Sequence, residues 1–155
     1  MADGRLLKKK DADRRRGVGR SRGGLNTKLH AAIDGQGRLV RMILTPGQGG
    51  DGLLGRQLLE SFKPGQIKQV LGDTAYGGDE TRARVRQLKA KACIKPHKNR
   101  TTKKRYDKVR YRNRNQIERF FDRIKQFRRV ATRYEKTLQN FAGFIWLAVL
   151  MVNVL

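Results

Sequence analysis

IKQVLGDTAYGGDETRARVRQLKAKACIKP, residues 67–96, sets the architecture. Ile67 to Leu71 is a short apolar run that ends in Gly72-Asp73, the pattern of a strand reaching the end of a sheet. A helix is predicted from Asp79 to Lys89, and a second short strand from Ala92 to Lys95, stopped by Pro96. A helix between two such strands is a unit of α/β proteins.

Upstream, LNTKLHAAI (25–33) and RLVRMIL (38–44) flank Asp34-Gly35-Gln36-Gly37 and read as two antiparallel strands joined by a Gly-rich turn. Leu53 to Phe62 is predicted as a helix, with Leu54, Leu58 and Leu59 on one face and Pro64-Gly65 closing it. The order strand, strand, helix, strand, helix, strand predicts an α/β fold with a mixed sheet. Downstream lie a basic loop over 97–110, an amphipathic helix over 111–129 and an apolar helix from about Leu138. Residues 1–24 are Arg, Lys, Gly and Asp with almost no apolar periodicity, so a disordered basic arm is expected there and one folded domain over 25–155. GVGRSRGG within the arm has the wrong spacing for a dinucleotide loop, and no apolar strand precedes it.

The 155 residues carry 37 Lys+Arg against 13 Asp+Glu, a formal net charge of +24. A polyanion relieves such self-repulsion by giving up counterions from its phosphates, so nucleic acid is the expected partner. An acidic membrane surface is the alternative that Phe141 to Val152 raises, but that run is shorter than the roughly 20 residues of a spanning helix. It is expected to be a buried core helix. The N-terminus has no apolar signal core, and a single cysteine, Cys93, makes neither a disulfide nor a metal cluster. A cytoplasmic, nucleoid-associated location fits these features.

On the helix YRNRNQIERFFDRIKQFRR, residues 111–129, the side chains of Ile117, Phe120, Phe121, Ile124 and Phe127 share one side, which must face the sheet. Tyr111, Arg114, Glu118, Asp122, Lys125 and Arg129 form a row along its edge. A carboxylate amid cations is most simply a helix salt bridge. Asp73 adds a second reading, because functional groups often sit where an α/β strand ends. Alone, it is equally a turn or helix N-cap residue. Together, Asp73 and Glu118 can converge on a hard divalent cation of the kind phosphodiester chemistry uses, with the surrounding cations holding a DNA backbone.

The spacing Tyr111, Arg114, Glu118, Lys125 resembles the Y-(2)-R-(3)-E-(6)-K signature of bacterial insertion-sequence transposases of the DDE superfamily, in the IS-four and IS-five groups. GRSRGGLNTKLHAAIDGQGRLVRMILTPG, LGDTAYGG and YRNRNQIERFFDRIKQFRRVATRYEK resemble the IS-five type, so the likeness runs over about residues 19 to 155. It implies an RNase H-like mixed sheet with flanking helices. It also implies Asp73 and Glu118 as catalytic ligands of Mg²⁺ or Mn²⁺, and DNA contacts from Tyr111, Arg114 and Lys125, to which Arg119, Arg128 and Arg129 of the same basic segment are added. The family's first Asp lies on a strand upstream of GRSRGG. Asp3, Asp11 and Asp13 are in no apolar strand and Asp34 is in a turn, so the fold is expected to be incomplete at its N-terminal strand. Asp51 stands where the family often has His-Asp, with Gly50 in place of the His, and is given no catalytic role.

Two functions compete. One is a transposase segment that binds transposon ends and target DNA, with the product of an upstream overlapping frame and a homo-oligomer in the synaptic complex as further partners. The other is a non-catalytic basic DNA- or RNA-binding protein, or an inert transposase remnant. A purely RNA-binding face needs no acid at its centre, and the stacking strand motif of RNA-recognition domains is missing. Neither His30 nor His97 has a partner at metal-ligand spacing.

Overall fold

In the computed structural model, which describes residues 16–22, 24–48, 50–99 and 105–154, strand β1 is Gly19–Ser21, β2 is Gly24–Ile33 and β3 is Leu39–Pro46. β2 pairs antiparallel with both neighbours, Gly19 opposite Asn26 on one side and Thr27 through Ile33 opposite Pro46 through Leu39 on the other. Asp34 makes the predicted turn: its Oδ1 accepts from the Gln36 and Arg38 amides at 2.9 and 3.0 Å, and Gly37 takes a φ of +80°. Burial pushes the Asp34 carboxyl up, but hydrogen bonds from Arg38 and Gln36 outweigh it and hold the group below the ordinary Asp value. Asp34 is thus a turn residue, as its sequence context indicated. Gly19 to Ser21 are already paired, so the folded chain begins ahead of Leu25, inside the stretch expected as an arm. Residues 1–15 lie outside the described residues.

Helix α1 is Asp51–Glu60, β4 is Gln69–Gly72, α2 is Asp79–Gln87 and β5 is Lys91–Ile94. β4 and β5 pair in parallel, Val70 opposite Ala92, as a helix between two strands requires. The expected mixed sheet is therefore two sheets among the described residues, one antiparallel (β1-β2-β3) and one parallel (β4-β5).

Side-chain alternation on β2 divides the interior. Ala32 and Val40 face a cluster of Leu59, Phe62, Val85, Leu88 and Ala90 from α1, α2 and their C-terminal loops. Leu29, Ala31, Ile33, Met42 and Leu44 face the opposite cluster, built from α4, Asn115–Lys125, and α6, Leu138–Val154. Helices thus cover both faces. Phe120, Ile124 and Ile145 are completely enclosed, and each such side chain contributes roughly 1.5–3 kcal/mol through burial.

The helix predicted over 111–129 is instead segmented into α3 (Lys108–Tyr111), a 3₁₀ turn (Arg112–Arg114), α4, and α5 (Arg128–Ala131). The break falls at Phe127, whose ψ of 111° is extended. Phe120 and Ile124 keep the predicted inward face. The last helix is buried on one face only: Phe141, Ile145 and Val149 pack inward while Trp146, Leu147, Leu150 and Met151 are exposed, so it is half a core helix rather than an enclosed one. Among the described residues no helix is long and apolar enough to cross a membrane.

Candidate functional site

Between β2 and β4 lies a cavity of about 1310 Å³, lined along one side by residues 27–33 and along the other by residues 69–72. Among the described residues these two edges have no strand partner there, β2 pairing over this range with β3 alone and β4 with β5 alone. Asp73 and Glu118 both line this cavity, with Arg114, Lys125, Asp51 and Tyr76. Residues 45 positions apart in the chain are thus brought to one opening, by a strand end and by a helix packed on the neighbouring sheet.

Asp73 sits directly after β4 with extended backbone, and its Oδ1 accepts from the Ala75 amide at 2.9 Å. It is therefore an N-cap, the simpler of its two readings, while also facing the cavity. Glu118, in the first turn of α4, is 56% exposed at its side chain and receives the Arg114 guanidinium at 2.6 Å. The salt bridge expected for this Glu is present. Both carboxylates stay open to the cavity, and neither is locked into an enclosed network.

Arg114 also lies 5.7 Å from the centre of the Tyr111 ring, which meets Tyr106 edge-on at 5.1 Å. Lys125 sits 5.9 Å from the Phe121 ring centre, at the cavity edge. Arg119 is exposed on the outer side of α4. Arg128 and Arg129 lie beyond the break and do not line this cavity, although Val130 and Ala131 of the same α5 do. Arg129 is drawn inward, 3.1 Å from Glu135 and 4.5 Å above Phe144, so much of its charge serves to tie α5 to α6.

Asp51, passed over in the sequence, opens α1 at the same cavity and pairs with Lys28 of β2 at 3.2 Å. Its charge, with that of Asp73, adds to burial in raising the Tyr76 hydroxyl above the ordinary Tyr value. Tyr76 packs on Gly55 of α1, where a Cβ would stand 2.3 Å from its ring. Its cues were its place where the resembled family often has His-Asp, weakened by Gly50, and its position opening a helix after a Gly-rich loop, a pattern shared by any helix start. His30 is buried against the Thr45 hydroxyl at 3.1 Å, a structural role as its isolated position suggested.

Hard oxygen donors suit a Mg²⁺-type cation, which keeps several waters and takes one or two carboxylates. Asp73 and Glu118 are donors of that kind on the lining of one cavity. Among the described residues no group of three or more Asp, Glu, His or Cys is arranged to hold a metal.

A family model described as "Transposase DDE domain" matches residues 2–154. A curated relative from Brucella ovis (strain ATCC 25840 / 63/290 / NCTC 10512), "Putative transposase for insertion sequence element IS6501", is 41% identical over 129 residues, which cover 83% of this chain and 98% of that protein. No solved structure matches. By the extent of both matches the chain belongs to the insertion-sequence DDE transposases.

Proposed function

We propose that the chain supplies two of the metal-binding carboxylates, Asp73 and Glu118, for cleavage and transfer of transposon DNA strands. The family consists in general of divalent-metal-dependent nucleotidyl transferases that act on DNA. The observation that carries the proposal is that these two carboxylates line one cavity whose edge carries Arg114 and Lys125. A bound Mg²⁺ or Mn²⁺ would supply charge stabilisation at the reacting phosphate. The chain's own residues do the rest: Asp73 and Glu118 hold the cation, and Arg114 and Lys125, with Tyr111 and Arg119 beside them, hold and orient the DNA backbone. Asp51 and Lys28 fix the opposite wall of the cavity.

The gap between β2 and β4, which holds no strand among the described residues, supports an RNase H-like arrangement in which one further strand joins the two sheets. A segment there would pair on both sides and bring a third carboxylate to the site. In this reading the partner is the product of an upstream overlapping frame, and the assembled enzyme works as an oligomer on paired transposon ends.

The test is strand transfer of a labelled transposon end with Mg²⁺ or Mn²⁺. The 155-residue chain is expected to bind DNA without cutting or joining it, and fusion to the upstream frame to confer activity. Asp73→Ala or Glu118→Ala in the fusion should abolish strand transfer while leaving DNA binding intact. Unimpaired transfer in either variant would refute the assignment.

A further inference from the structure

A second cleft, of about 470 Å³, shares no lining residue with the larger cavity and is formed by Arg128, Arg129 and Tyr134. It is rigidly backed. Arg129 is committed to Glu135 and to the face of Phe144. Arg133 donates to the Thr27 hydroxyl and the Arg16 and Glu135 carbonyls and lies over Phe141, so the segment carrying Tyr134 is tied to both ends of the described chain.

Two groups remain available at the front. Tyr134 is 55% exposed, and its hydroxyl accepts from Arg128 Nε at 3.2 Å, which fixes the ring beside the guanidinium. With Nε so engaged, the Nη groups of Arg128 are left to meet an anion. An exposed aromatic ring clamped to an unspent guanidinium is the pairing that binds a nucleobase by stacking and its phosphate by charge. In a continuous duplex both faces of each base are covered by neighbouring bases. The ring is therefore complementary to a base that has left the stack.

We propose that this cleft holds one unpaired nucleotide of the DNA, with its base against Tyr134 and its phosphate on Arg128. The inference rests on the reading of the chain as a transposase that acts on DNA, and is independent of the Asp73 and Glu118 metal site.

The test uses the full chain in the presence of a chelator, with a labelled blunt duplex and the same duplex carrying a short single-stranded tail containing 2-aminopurine. Wild-type protein should bind the tailed DNA more tightly and quench the 2-aminopurine. Tyr134→Ala should weaken tailed-DNA binding by about tenfold, the effect of losing one stacked base, and leave blunt-duplex affinity unchanged. Tyr134→Phe, which keeps the ring face but gives up the hydroxyl that Arg128 holds, should lose less than Tyr134→Ala and still favour the tailed DNA. Arg128→Ala should lower the salt dependence on tailed DNA by about one phosphate contact. Equal loss on both DNAs in Tyr134→Ala, loss of the preference in Tyr134→Phe, or a wild-type chain indifferent to the tail would overturn the proposal. Because no metal is present, each result is separable from strand transfer: an inactive Asp73→Ala fusion that keeps its tail preference leaves this cleft standing, and the reverse leaves the metal site standing.

Discussion

Arg114 Nη2 donates to Glu118 Oε1 across 2.6 Å, one helical turn apart, while the same guanidinium lies over the Tyr111 ring. Tyr, Arg and Glu of the signature are thus a contact chain along one edge of the helical segment, and the spacing of three and four residues is what lets them touch. The Arg holds the carboxylate in place and lends the site positive charge.

Arg114→Ala should therefore act on DNA far more than on folding. Glu118 is largely exposed, so the pair contributes only about 0.3–0.5 kcal/mol to stability. The slope of log affinity against log salt should fall by about one. Urea unfolding and a salt titration of duplex binding read the two effects separately.

Gly55→Ala tests the link between α1 and the cavity. Its Cβ would meet the Tyr76 ring at 2.3 Å, so the ring or the helix must move. A destabilisation of roughly 1–3 kcal/mol is expected from this overpacking. Tyr76→Ala added to the same chain should relieve the clash, making the double variant more stable than the sum of the two changes, as a double-mutant cycle in urea would show.

Burial lowers the His30 pKa below 6.5, against a raising influence from Asp51 and with a further lowering one from Lys28. The unfolded chain then binds the proton more readily than the folded one, so stability rises with pH across the interval between the two values. The contribution is complete above about pH 6.5 and is lost as pH falls through the folded pKa. Melting temperature should decline as pH falls below about 6.5 in the wild type, and less steeply in His30→Gln.

Much of this architecture was legible because it rests on local signals. Asp34 to Gly37 reads as a turn from residue types alone, and the α1 face of Leu54, Leu58 and Leu59 from periodicity. Asp73 was legible as a strand-end acid because VLGD joins an apolar run to a Gly. The break at Phe127 was not, since neither Gly nor Pro marks it and the apolar stripe runs straight through. Nor could the chain show that Asp51 shares a cavity with Asp73 and Glu118, because that depends on which helix start faces which sheet edge. The absence of β2-β4 pairing is likewise a tertiary fact, as each strand separately satisfies its own pattern.

Arg133 joins parts of the chain that no local signal connects. Arg133→Ala removes its bonds to Thr27, to the Arg16 and Glu135 carbonyls, and its contact with Phe141. A loss of about 2 kcal/mol is expected from the unpaired partners it leaves, with amide exchange accelerated first in β1 and at the start of β2. Uniform exchange across the fold would show that the staple is not what holds that edge.

Asp73 and Glu118 are proposed to hold one or two divalent cations between them, and anomalous diffraction from crystals of the chain soaked in Mn²⁺ locates those ions. One or two peaks between the carboxylates are predicted, each carboxylate with an oxygen about 2.2 Å from a manganese, and the two groups roughly 4 to 8 Å apart. Carboxylates held farther apart, with manganese bound elsewhere on the chain, would contradict the proposal.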